Sequence, residues 1–193
     1  SLDSDGNWRW VTSIAGGGND PLFAGLVTGA KDAYLAVNGH TSSTSIQIGN
    51  QTISKTSNGT YETFVILLDA TTGTMEWYRG AINDNGGNGY GGSGSLITLD
   101  DDYLSWGGRI WNPDANIDDC TLSGTAQVLF MVTLDLDDGS CDKKMSFSST
   151  DYASIEEMTR IDDTHIAIIG EFETSVTIGS DTFTNSNNRD IFI

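Results

Sequence analysis

The strongest constraint on this chain is repetition. Leu2, Leu68 and Leu134 stand 66 residues apart, twice, in "SLDSDGNWRW", "LLDATTGTMEW" and "TLDLDDGSCDKK". Each is followed by an aspartate (Asp3, Asp69, Asp135) and then by a turn glycine (Gly6, Gly73, Gly139). Trp10 and Trp77 come next, and Lys143 breaks the pattern in the third copy. Strands ending in glycine recur as "AYLAVNG", "DYLSWGG" and "HIAIIG", and "SIQIGNQTI" returns as "SVTIGSDTF". The second copy has diverged at that point, carrying "NPDANIDDCTL". A fixed period of this kind means that each unit buries its apolar face against its neighbours rather than alone.

Each copy holds about four strand candidates; in the first they are "NWRWVTSI", "DAYLAVNGH", "SIQIGNQTI" and "YETFVILLD". The runs "FVILL" and "LFMVTL" are apolar on both alternations, as strands covered on both faces require. "SIQIG" alternates, as expected nearer an edge. No window has convincing helical period, and "ASIEEMTRI" (Ala153 to Ile161) reads as one helical turn or a strand edge. Glycine is abundant (23 residues) and proline scarce (2), consistent with many turns between short strands. The expected fold is all-β: antiparallel four-stranded repeats, β-propeller-like, in three blade-like units of about 66 residues. The units run 1–67, 68–133 and 134–193 within a single repeat domain.

The third unit ends in "RDIFI", where Phe192 takes the place of Phe64 and Phe130. The chain's own start supplies the missing continuation, short by about one residue. The third unit is therefore expected to be completed by residues 1–10 of the same or another copy. An open strand edge is a template for pairing with another chain. The residues expected to carry assembly are Ile191, Phe192 and Ile193 at one end, with Leu2, Trp8 and Trp10 at the other. Head-to-tail pairing that does not close would give a filament.

Phe64, Leu68, Asp69, Gly73 and Trp77, with Tyr103 and Gly107 or Gly108 downstream, match a known pattern: Gly-Asp-x-Phe-Val-x-x-Leu-Asp, a turn Gly, Trp, and later Tyr-Val-x-Gly. The chain thus resembles the bacterial seven-bladed β-propeller repeat family over nearly its whole length. The resemblance implies an extracellular scaffold and brings no catalytic residues with it.

The net charge of −18 comes mostly from aspartate. Nucleic-acid affinity rests on lysine and arginine neutralising phosphates, so neither nucleic acid nor an anionic membrane surface is an expected partner. No stretch approaches the roughly 20 apolar residues of a transmembrane helix, so membrane insertion is not expected. The chain starts at Ser1, which suggests a removed leader or an excised piece. Cys120 and Cys141 are too few for a disulfide framework and lack metal-ligand spacing. One disulfide between them would favour an oxidising compartment, extracellular or at the cell surface.

Catalytic signals are missing. His40 and His165 sit in separate copies with no meaningful partner spacing, and no nucleophile elbow, HExxH or P-loop pattern occurs. "GGNGYGGSGS" (Gly86 to Ser95) reads as a flexible loop. No enzyme is expected, and no cofactor except calcium: Asp3 and Asp5 in "DSDGN", and Asp135 and Asp137 in "DLDDG", have the spacing of an oxygen-ligand loop, though a hairpin turn uses the same residues. Trp106 and Trp111, not shared between copies, are the candidates for stacking on carbohydrate. Asn50 and Asn58 stand in N-glycosylation sequons. The expected function is an extracellular structural or scaffold protein that self-assembles with copies of itself. The alternatives are a piece of a lectin-like or protein-binding propeller, or a glycoside-acting propeller enzyme, for which no carboxylate pair is singled out.

Overall fold

Apolar, β-branched runs punctuated by Gly and Asp turns fold here into strands. The computed structural model describes residues 5–16, 23–24, 28–30, 33–55, 62–83, 96–99, 102–111, 115–124, 127–162, 164–185 and 188–193. Leu2, Asp3, Asn58 and the glycine-rich segment 86–95 lie outside them, as does the side chain of Trp111.

In chain order the first strands are β1 (Ile14–Gly16), β2 (Phe23–Ala24), β3 (Thr28–Ala30) and β4 (Tyr34–Thr41). Then come β5 (Ser45–Ile48), β6 (Gln51–Ser54), β7 (Glu62–Asp69) and β8 (Met75–Asn83). The middle of the chain forms β9 (Leu96–Leu99), β10 (Tyr103–Trp111), β11 (Ala115–Ile117), β12 (Cys120–Leu122), β13 (Gln127–Asp135) and β14 (Cys141–Ser149). The remainder forms β15 (Ala153–Arg160), β16 (Ile166–Phe172), β17 (Ser175–Ile178), β18 (Asp181–Thr184) and β19 (Asp190–Phe192). No helix occurs among the described residues; the ambiguous segment from Ala153 is strand β15.

All pairings are antiparallel and build four sheets. The first is β1-β5-β6; the second is β12-β11-β8-β7-β4-β2, with β3 also on β4; the third is β18-β17-β14-β13-β10-β9; the fourth is β15-β16-β19. No sheet among them closes on itself. Nor do sheets coincide with the 66-residue units, because each complete sheet takes its outer hairpin from further along the chain.

The second and third sheets follow one plan in one register. Gly39 faces Phe64 and Tyr34 faces Asp69 across β4 and β7, as Gly108 faces Phe130 and Tyr103 faces Asp135 across β10 and β13. On the other side, β8 receives the hairpin β11–β12 with Ala81 opposite Ile117, and β14 receives β17–β18. The segment "NPDANIDDCTL", divergent in sequence, thus supplies the same hairpin as its counterparts. Gly49, Asp118 and Gly179 each open a two-residue turn with φ of 55°, 54° and 62°.

Successive sheets stack face to face. Ile46 and Ile48 of the first sheet pack on Val37, Phe64, Ile66 and Leu68 of the second. The opposite face of the second sheet, with Val65, Leu67 and Trp77, packs on Trp106, Phe130, Val132 and Leu134 of the third. Leu129 and Val176 of the third pack on Ile155, Phe172 and Phe192 of the fourth. Residues 62–68 are therefore buried along both alternations of β7, which is what a doubly covered strand demands.

Candidate functional site

The first and fourth sheets are complementary halves of the plan seen whole in the second and third. β15-β16-β19 ends at the apolar strand, with Gly170 facing Phe192 as Gly39 faces Phe64. β1-β5-β6 begins at the strand after the turn, with Ile14 facing Ile48 as Ala81 faces Ile117. β7 and β13 each have a neighbour on both sides, whereas β19 pairs with β16 alone and β1 with β5 alone among the described residues.

The β19 edge sets exposed isoleucines beside an ion-paired group, in which Arg189 meets Glu171 at 2.6 Å and Glu173 at 3.1 Å. Ile191 is 66% exposed and Ile193 94% exposed, with Ile169 beside them. Phe192 turns inward, 8% exposed, and its ring sits so close to Gly170 that an added Cβ would meet it at 2.3 Å. The Ile191 N–H donates to the Asp190 carboxylate at 3.1 Å. An inward-bonded charged side chain of this kind is one way of guarding an unpaired edge.

A second feature joins the stacked sheets. The Trp10 indole lies over Gly73, and its Nε1–H donates to Ala70 O at 2.8 Å. The Trp77 indole lies over Gly139, and its Nε1–H donates to Leu136 O at 2.8 Å. Two residues beyond each tryptophan a second donor reaches the glycine carbonyl itself: Thr12 Oγ1 to Gly73 O, 2.5 Å, and Arg79 Nε to Gly139 O, 2.9 Å. Both glycines are left-handed, with φ of 73° and 74°, and a side chain there would collide with the ring. The sequence pointed to the tryptophans; Thr12 and Arg79 escaped notice because they share a position but not a residue type.

The remaining expected residues are dispersed. Trp106 is 0% exposed and edge-on to Phe130 at 5.1 Å. This corrects its expected role: a fully buried ring offers no face to a sugar. Trp8 is 74% exposed. Asp135 and Asp137 lie in a hairpin turn, where the Asp135 carboxylate accepts the Asp137 N–H at 2.8 Å. The Asp69 turn has the same backbone bonds with threonine at the second place, so the turn forms without the second aspartate. The Asp69 carboxyl is held below its usual range, chiefly by the Thr72 N–H and then by its hydroxyl. Asp138 is lowered by the Ser140 hydroxyl and N–H. Asp5 is exposed beside Gly6, whose φ is 82°.

Cys120 and Cys141 are disulfide-bonded, with Cα atoms 5.8 Å apart. Asp119 lies near the two sulfurs, but sulfurs bonded to each other are not thiolate ligands. The bond ties β12 of the second sheet to β14 of the third. Asn50 occupies the exposed tip of the β5–β6 hairpin. His40 is half-buried, and burial pushes its pKa down. His165 is exposed and bonds Asp162 at 2.8 Å. The His165 Nδ1 also meets the neighbouring Thr164 hydroxyl, at 2.9 Å.

No helix among the described residues is long and apolar enough to cross a membrane. Comparison with protein-family models, with curated proteins and with solved structures gives no match.

Proposed function

We propose that this protein is an extracellular structural subunit that assembles head to tail, the β19 edge of one copy pairing with the β1 edge of the next. The observation that carries the reading is the split sheet: β15-β16-β19 and β1-β5-β6 together reproduce the strand order of the two complete sheets. Strand addition supplies main-chain hydrogen bonds for affinity and side-chain pockets for register. By analogy with β7–β8, where Thr63 faces Ala81 and Phe64 faces Gly80, Ile191 would face Ile14 and Phe192 would face Ser13. Ile14 already packs toward the second sheet. Ile191, on the same face, would be buried there by the incoming copy.

A heterologous contact repeated without closure builds a filament, and with closure a ring. The disulfide and the resemblance to bacterial propeller repeats support an extracellular setting. Propeller-type repetition is part of the proposal, each complete sheet taking the part of a blade.

The test is sedimentation velocity on the unmodified chain and on Ile191→Pro. Proline removes a main-chain donor of β19 and is confined to edge strands, so the variant strand can no longer be flanked on both sides. The expected result is assembly of the unmodified chain and monomers for the variant, with unchanged circular dichroism. Equal assembly of both would overturn the reading.

A further inference from the structure

Both internal joints use an indole and a second donor on the glycine turn of the following sheet. The same two places recur once more, in β14. Lys143 faces Thr133 as Trp77 faces Leu67, and Met145 faces Met131 as Arg79 faces Val65. Neither reaches a turn. The Lys143 side chain is 78% exposed, with its ammonium 3.7 Å from the adjacent Asp142, and Met145 is 46% exposed. At the other end of the stack stands a glycine turn with no ring upon it among the described residues. Gly6 has the left-handed φ of Gly73 and Gly139, yet a Cβ there would meet nothing within 4 Å.

Assembly through the split sheet would bring these two places together. The sheet completed by β19 and an incoming β1 would follow the third sheet in the stack. Its turn would carry Gly6 and lie where β14 presents Lys143 and Met145. We infer that Lys143 of one copy seats on the Asp5–Gly6 turn of a second copy, its ammonium facing the Asp5 carboxylate and the turn carbonyls, with Met145 covering the glycine. The inference rests on the assembly reading and specifies its joint.

The chemistry fits a joint between molecules better than an indole would. Lysine lays an apolar stem along a surface while its three N–H donors stay hydrated until contact. Each copy carries a net charge of −18, so a local lysine opposite an acidic turn also selects the orientation in which two copies meet.

Association constants from sedimentation or light scattering test this with five proteins: unmodified, Lys143→Glu, Lys144→Glu, Lys143→Glu with Asp5→Lys, and Lys143→Trp. Lys144 changes the net charge equally but donates to Thr121 O within its own copy, at 2.8 Å. Lys143→Glu is expected to weaken association about five- to tenfold, clearly more than Lys144→Glu. Adding Asp5→Lys restores it, and Lys143→Trp strengthens it. Equal losses for the two glutamate variants, with no rescue, overturn this joint while leaving strand-edge assembly standing. Failure of the unmodified protein to associate overturns both.

Discussion

Trp10 and Trp77 differ from Trp106 in what their ring nitrogens do. The first two donate to carbonyls in the next sheet's turn, so each fixes the position of one sheet against another; Trp106 fills space beside Phe130. Trp77→Phe keeps most of the packing and leaves Leu136 O without its donor, an expected loss of about 1 kcal/mol. Trp77→Ala should cost about 4 kcal/mol. The glycines beneath make a sharper comparison. Gly139→Ala meets both the cost of left-handed φ, about 1–2 kcal/mol, and a ring atom 2.8 Å away. Gly6→Ala meets only the first. Urea unfolding at constant m-value should therefore rank Gly139→Ala well below Gly6→Ala, and equal midpoints would contradict the latch. The turn carboxylates add a pH dependence. Asp69 and Asp138 are held below their usual range in the folded chain. Their contribution is present above the unfolded carboxylate pKa and is lost as pH falls through the lower folded value. Between about pH 5 and pH 2, Asp69→Ala should lose less stability than the unmodified protein does; identical acid slopes would show that the turn bonds contribute nothing.

At the scale of elements, the apolar strands were the legible part of the sequence. β7 and β13 announce themselves because both faces are covered, so hydrophobicity runs unbroken. The hairpin β11–β12 was illegible for the opposite reason. Its alternate residues face solvent and are free to vary, and its turn uses Asp118 at φ 54° where the others use glycine. β15 looked half helical because a bulge between Ile155 and Glu157 shifts its register. Buried Ile155 and Met158 then fall three apart, a spacing typical of a helix. Trp106 misled because its counterpart in β4 is Val37, by alignment of Gly108 with Gly39. A residue unlike its counterparts was read as exposed, yet both positions are buried. For β19, Phe192 is the anchor, and Gly170→Ala would push against its ring and against the Ser154 carbonyl of β15. Hydrogen exchange should then show lost protection at Phe192 while β13 amides keep theirs; unchanged protection at Phe192 would mean that β19 does not depend on this contact.

For the whole molecule, stability comes from faces stacked in series, with one covalent staple. The Cys120–Cys141 bond closes a loop of sequence separation 21, and its removal is expected to cost about 3 kcal/mol through the unfolded chain. A Cys120→Ala/Cys141→Ala variant with an unchanged melting temperature would contradict that figure. Strand β19 was legible in "RDIFI", because its apolar residues repeat those of β7 and β13. Its register against β16 was not, since pairing across a sheet depends on residues far apart in the sequence.

The central claim, completion of the split sheet between copies, is tested most directly by register-specific crosslinking. Ile14→Cys with Ile191→Cys places the two sulfurs directly opposite across the predicted β1–β19 pairing. Ile14→Cys with Asp190→Cys sets them one residue out of step and on opposite faces. Under mild oxidation, the account predicts a ladder of covalent multimers for the first pair and little or none for the second. No ladder for either pair, or equal ladders for both, would contradict it.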